Sequence, residues 1–290
     1  MRVLLTGASG FLGRYVLSQL TQQGIDVVVV GRSRPVEHCG DYIEADLLQV
    51  DGCTATVQRS RATHLIHLAW YAEHGKYWAS PLNLRWLEAS VRLVEAFCSA
   101  GGQKVVAAGT CAEYDWSCGY CREDTTPLMP DSMYGTTKDA TRRLVAAVCR
   151  AHQVPFAWGR IFLPYGQGED RRRLIPSLIE VFQGRRSPFG VNASAYRDFL
   201  HAEDVARGFV RLLLSDAEGT HNISSGQPTQ IAEVVRLIAG AVNGDSRIVL
   251  DLSTERPGEP EILIGDSRKL KALGWQPMHA ITSIAGGQGA

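Results

Sequence analysis

The stretch Val3-Leu4-Leu5-Thr6-Gly7-Ala8-Ser9-Gly10-Phe11-Leu12-Gly13 decides the fold of this 290-residue chain. Val3 to Leu5 read as a buried strand, the glycines as a tight turn, and residues 11–23 as an amphipathic helix. Glycine lets the backbone turn sharply and come close to a phosphate, and a helix N-terminus adds unpaired N–H groups and partial positive charge. Strand, glycine turn and helix in that order make a cradle for the diphosphate of a dinucleotide. Gly7, Ser9, Gly10, Phe11, Leu12 and Gly13 are its candidate residues. The spacing is Gly-x-x-Gly-x-x-Gly, not the commoner Gly-x-Gly-x-x-Gly.

Outward from this turn, further strands are expected at residues 26–30, 42–45, 64–69, 104–108 and 154–161, with helices at 83–100 and 134–152. Val- and Leu-rich strands separated by helices predict the α/β class, a doubly wound parallel sheet covered on both faces. The second half is less regular. Helices are expected at 174–183, 202–214 and 231–242 and a short strand at 247–250, before Pro257, Gly258 and Pro260 break the chain. A dinucleotide domain is assigned to residues 1–162, with part of 190–225 returning to it. A smaller mixed α/β substrate lobe is assigned to 163–290, ending in a glycine-rich tail at 286–290.

Thirty basic and thirty acidic residues leave no net charge, so no global field draws this chain to nucleic acid or anionic lipid. Any bound anion must be held locally. An apolar content of 45% is enough for a full core and excludes a disordered chain. No apolar run approaches the ~20 residues that span a bilayer. The first strand starts at Met1, so no signal peptide is expected. Seven cysteines, an odd and sparse set, suit a reducing cytoplasm better than a disulfide framework.

Where a dinucleotide's adenine ribose would lie, the chain reads Gly31-Arg32-Ser33-Arg34, without the acid that grips the 2′-OH of NAD. Arg32 and Ser33 suit a 2′-phosphate through charge-assisted hydrogen bonds, so NADP is expected over NAD. Further on, Tyr134 and Lys138 stand four apart at the start of a helix and share one face. A nearby ammonium lowers a tyrosine pKa from about 10, which would make Tyr134 an acid–base group and Lys138 its electrostatic support.

These motifs, in this order from Val3 to Pro277, resemble the extended short-chain dehydrogenase/reductase family, which has a Rossmann-type sheet and includes nucleotide-sugar epimerases, dehydratases and 4-ketoreductases. The resemblance implies that Asp46-Leu47 contact adenine and that the backbone at His67-Leu68-Ala69 lines the cofactor, with His67 itself structural. Lys138 would also bind the nicotinamide ribose. Thr110, four residues before Tyr114, matches the family's hydroxyl that polarises the reacting carbonyl. Cys111-Ala112 follow it where the 4,6-dehydratases carry Asp-Glu, and Ala112 stands where the 3,5-epimerases carry cysteine, so neither of those reactions is expected. Cys111 and Glu113 are candidate substrate contacts, Glu113 either orienting substrate or pairing with an arginine. Trp116 lies in a loop, 114–133, long enough to cover substrate.

Cys118-Gly-Tyr-Cys121 is half a zinc site without a second pair, so no metal is assigned. Leu163 replaces an asparagine that commonly positions the nucleotide sugar. Arg197 and Arg256 match two arginines that face the nucleoside diphosphate, and a guanidinium fork suits phosphate. Arg171 to Arg173 read as a solvated face that adds at most one residue to that site.

The expected function is an NADP-dependent reductase of a nucleotide-linked 4-keto-6-deoxy sugar. A length of 290 residues, short for the family's epimerases and dehydratases, and the missing Asp-Glu pair favour it. The alternatives are an NAD-dependent nucleotide-sugar 4-epimerase, which needs the same three residues, and a non-catalytic NADP-binding regulator. Dimerisation through the helices at 83–100 and 134–152 is implied by the resemblance.

Overall fold

In the computed structural model, which describes residues 1–35, 40–255 and 258–282, the chain opens with β1 (Arg2–Thr6), an interior strand of the main sheet. This strand is followed by α1 (Phe11–Gln22), β2 (Asp26–Gly31), β3 (Asp41–Glu44), α2 (Gly52–Ser60), β4 (His64–His67), α3 (Leu82–Ser99) and β5 (Lys104–Thr110). Then come β6 (Tyr120–Cys121), α4 (Met133–Ala151), β7 (Phe156–Ile161), β8 (Leu163–Tyr165), α5 (Leu174–Phe182), β9 (Tyr196–Arg197) and β10 (Phe199–His201). The remainder is α6 (Ala202–Leu214), β11 (Gly219–Ile223), β12 (Thr229–Gln230), α7 (Ile231–Ala241), α8 (Arg247–Leu250), β13 (Ile262–Gly265) and α9 (Arg268–Ala272).

Seven strands form one parallel sheet in the order β3-β2-β1-β4-β5-β7-β11. Side chains alternate across a strand, and both faces here are covered, so β1 is apolar over Val3–Leu5 and β2 over Val27–Val30. Val3, Leu5, Val27 and Val29 pack under α1 and α6, while Leu4, Val28 and Val30 pack under α2, α3 and α4. The winding reverses between β1 and β4, and a sheet of this kind opens a crevice there, at the carboxyl ends of its strands. This is the Rossmann-type α/β fold expected from the sequence, and it places the glycine turn at the crevice.

The second half adds two small sheets, a parallel β8–β10 pair and a four-stranded set in the order β12-β9-β13-β6. Its own core gathers Leu178 of α5, Val234 and Ile238 of α7, and Val249. Residues 202–223 supply α6 and β11 to the large sheet.

The strand expected at 247–250 is instead the helical turn α8. Asp245 accepts a hydrogen bond from Arg247 N at 3.0 Å, and Leu250 N bonds back to Ser246 O at 3.0 Å, which sets a helix start that the apolar run alone does not reveal. Arg256 and the tail at 286–290 lie outside the described residues. Among the described residues no helix is long and apolar enough to cross a membrane.

Candidate active site

The glycine turn is fixed by close approach. Gly7 has φ +75°, and a Cβ there would sit 2.7 Å from Ala69 N, while one on Gly13 would sit 1.9 Å from Gly7 O. Gly10, the N-cap of α1, lends no side chain to the helix terminus, so the first-turn N–H groups stay available to an anion. Thr6 Oγ1 accepts from the backbone N–H of Leu68 and of Ala69, at 3.2 and 3.1 Å, and so ties the exit of β4 against the turn. It also meets His67 Nδ1 at 2.7 Å, and His67 Nε2 meets Ser90 Oγ at 2.8 Å. Burial drives the His67 pKa down to about 3, with the Lys138 charge adding to it, so the ring stays neutral as part of this brace.

The cradle opens into a continuous cavity of about 1000 Å³. Gly7, Ser9, Gly10, Phe11, Leu12 and Gly13 line it, as do Arg32, Asp46, Leu47, Leu68 and Ala69. Thr110, Cys111, Tyr134, Lys138 and Arg197 share the same space. Asp46 Oδ1 also accepts from Leu48 N at 3.0 Å, which shapes the turn after β3. Ser33 stands exposed on the turn after β2, next to Arg32 and outside the cavity wall.

Thr110 ends β5, where its Oγ1 accepts from Ala112 N at 3.2 Å and caps a short turn over Cys111–Glu113. Ser132 caps α4 through Gly135 N at 3.0 Å, which sets Tyr134 and Lys138 in the first turns of that helix. The Thr110 hydroxyl is near enough to the Tyr134 phenol to favour its ionised form by hydrogen bonding. Burial is the larger influence and raises the Tyr134 pKa. It lowers that of Lys138 to about 7, while the Glu113 charge pulls the other way. The expectation that Lys138 depresses the Tyr134 pKa is therefore corrected for the protein alone, because desolvation dominates both groups.

Glu113 is not a substrate contact. It is fully buried, its Oε1 accepts from Thr110 N at 2.9 Å, and its Oε2 accepts from Arg160 Nε at 2.6 Å. Trp158 Nε1 donates to both oxygens, at 3.0 and 3.1 Å. With every lone-pair direction engaged behind the site, it holds the Thr110 backbone in place. Arg197 faces the cavity but is also tied by its Nη1 to Pro260 O at 2.8 Å. Cys121 is buried in β6 and Cys118 exposed, and neither forms a disulfide.

Sequence reasoning placed Trp116 in a covering loop and allowed one of Arg171 to Arg173 into the site, but it missed Trp70, Tyr77, Trp78 and Glu169. Tyr77 and Trp78 stack at 4.7 Å, both lie edge-on to Tyr134 at 4.8 and 5.7 Å, and Trp116 meets Trp78 at 6.1 Å. Trp70 lies beside Lys138. Glu169 pairs with Arg173 at 2.7 Å and lines the cavity. These residues come from loops whose meeting is a long-range event. The only local hint is the density of aromatics between Trp70 and Trp78.

Fold and site together are those of a dinucleotide-dependent enzyme of the extended short-chain dehydrogenase/reductase type. The chain belongs to the NAD dependent epimerase/dehydratase family, which matches residues 3–224. It is 26% identical to UDP-glucose 4-epimerase of Azospirillum brasilense, over 96% of this chain and 88% of that protein. It is 28% identical to UDP-glucose 4-epimerase of Corynebacterium glutamicum, over 96% and 92%. Among solved structures, MoeE5 in complex with UDP-glucose and NAD superposes with a TM-score of 0.85 at 26% identity, covering 99% of this chain and 97% of that one.

These relatives overturn the expected 4-keto-6-deoxy sugar reductase. The missing Asp-Glu pair argues against elimination, but it cannot separate reduction from 4-epimerisation, since both use the same hydroxyl, tyrosine and lysine. The shorter chain carried no weight either, because it spans about nine-tenths of each of these epimerases. A nicotinamide dinucleotide remains the indicated cofactor, but NADP in particular is not supported, since the neighbouring structure holds NAD.

Proposed function

We propose that this chain is an NAD-dependent 4-epimerase of a nucleotide-linked hexose. The observation that carries the reading is the grouping of Thr110, Tyr134 and Lys138 at the end of the glycine cradle, in a chain similar over nearly its whole length to UDP-glucose 4-epimerases. The cradle fits the cofactor, because Gly7 and Gly13 stand where any Cβ would block the turn. When bound, NAD supplies the acceptor and donor of the hydrogen at C4. Tyr134 takes the proton of the 4-hydroxyl and returns it to the oxygen once the configuration has changed. Thr110 donates a hydrogen bond to that oxygen as it gains charge. Lys138 supports the phenolate and holds the nicotinamide ribose. Arg197 is assigned to the substrate diphosphate, and Arg32 at the cavity rim to the adenosine end of the cofactor.

Residues 1–162 are assigned as the dinucleotide domain, joined by α6 and β11, and the rest as the substrate lobe. A dimer through α3 and α4 is supported by their side-by-side packing and the exposed Leu84 and Leu144.

The test is to incubate the protein with UDP-glucose and follow the sugar by NMR. Formation of the C4 epimer from either direction, without net consumption of added nicotinamide cofactor, is expected. Tyr134→Phe should lower kcat by about 10³-fold. A full panel of nucleotide hexoses giving no epimer would sink the proposal. Mass analysis of the cofactor carried by the purified protein should find NAD.

A further inference from the structure

We infer that Trp70 is a positioning residue for Lys138, holding its ammonium against the indole face. The inference rests on the assignment of Lys138 to the catalytic group. Lys138 Nζ lies 3.9 Å from the Trp70 ring centroid and donates to Ala108 O at 2.9 Å. The lysine is only 4% exposed, so water cannot solvate the charge from all sides. An indole face is the strongest of the aromatic partners for a cation, and its attraction grows when the pair is desolvated.

Trp70 is itself immobilised. Its Nε1 donates to Asn83 Oδ1 at 2.8 Å, and the fully buried Asn83 donates in turn to Tyr77 O and Ser80 O at 2.7 and 2.9 Å. Trp86 stacks beyond it at 6.4 Å and 29°. The ring is therefore a fixed platform, not a filler that can move aside. Trp70 directly follows Ala69 in sequence, so the backbone that lines the cofactor and the ring that seats the lysine are one rigid piece.

Other groups around Lys138 act on its charge less directly: the Trp158 ring lies farther off, at 5.9 Å from Nζ. Glu113, in the turn after β5, attracts it but is paired with Arg160 of β7. His67 of β4 stays neutral, and Tyr134 on α4 itself is protonated in the resting site. Burial moves the lysine pKa down to about 7, into the working range. The indole face opposes that movement, because it favours ammonium over amine. Removing it should lower the pH at which the ammonium is lost.

The experiment compares wild type, Trp70→Phe and Trp70→Leu. It measures kcat/KM for epimerisation and the dissociation constant of NAD, each against pH, with Tm as a control for folding. In Trp70→Leu the alkaline limb of both profiles should move toward acid by about one pH unit. Trp70→Phe, which keeps a weaker ring face, should move it by less and so act as the partial rescue. A uniform loss at every pH with the limb in place would overturn the proposal and leave Trp70 as packing alone. If Trp70→Leu does not fold, an unmoved limb in Trp70→Phe overturns it equally. If the wild type does not epimerise, the functional reading fails, while the NAD-binding profile still decides the role of Trp70.

Discussion

The two walls of the central cavity are built by different means. The cofactor wall is set by backbone: Gly7, Gly10 and Gly13 fold the turn, and Thr6 pins it to the exit of β4. The substrate wall is set by side chains from distant segments, with Tyr77 and Trp78 after β4, Trp116 after β5, Glu169 and Arg173 before α5, and Arg197 in β9. The first kind of wall is written in eleven consecutive residues and has no space for a Cβ at Gly7 or Gly13. The second depends on contacts made only after the chain has folded.

The largest effect should come from the brace between the two walls. Glu113→Ala would leave Arg160 buried without its partner and free the Thr110 N–H, a loss of about 3–5 kcal/mol of stability. Urea unfolding would measure it. Were Glu113 a substrate contact after all, the variant would raise KM at unchanged stability, and the boundary drawn between brace and wall would be wrong. Next in size is Gly13→Ala on the cofactor wall. Its Cβ meets Gly7 O and forces α1 away from the turn, at a cost of about 1–3 kcal/mol in stability. The matching outcome is NAD affinity reduced by about 10²-fold or more in calorimetry, with the α4 residues untouched. Normal NAD binding by this variant would show that the cofactor wall is as adaptable as the other.

The same contrast explains what the sequence made legible. The strand–turn–helix at residues 2–22 is local, and its periodicity and glycines state it openly. The helix α6 shows its apolar stripe as clearly. The strand β11 does not, because His221 and Asn222 occupy buried positions in it. Asn222 is satisfied there by Tyr114, Cys121 and Asp266, and none of these can be read from the strand itself. The choice for Glu113 between orienting substrate and pairing with an arginine was not legible, because its partner Arg160 is 47 positions away. The failure over the reaction has another origin: reduction and 4-epimerisation place the same demands on Thr110, Tyr134 and Lys138, so no reading of those residues separates them.

The smallest effect concerns Glu169, and it tests whether burial tunes the substrate wall. One carboxylate oxygen bonds Arg173, while Oε2 is buried at the cavity without a hydrogen-bond partner among the described residues. Burial is the dominant influence and raises its pKa to about 7, against the pull of Arg173. The folded protein therefore holds this proton more tightly than the unfolded chain, whose glutamate ionises near 4.5. The sign follows from linkage: stability from the protonated acid is complete below about 4.5 and is lost as the pH rises through 7. Glu169→Gln keeps the shape and an acceptor for Arg173 but cannot ionise. It should be more stable than wild type by about 1 kcal/mol at pH 8, with the gap closing toward pH 5. Urea unfolding at the two pH values measures this. A gap that stays constant, or a variant less stable at pH 8, would mean that the ion pair with Arg173 outweighs burial and that the substrate wall, like the brace behind it, is held by charge.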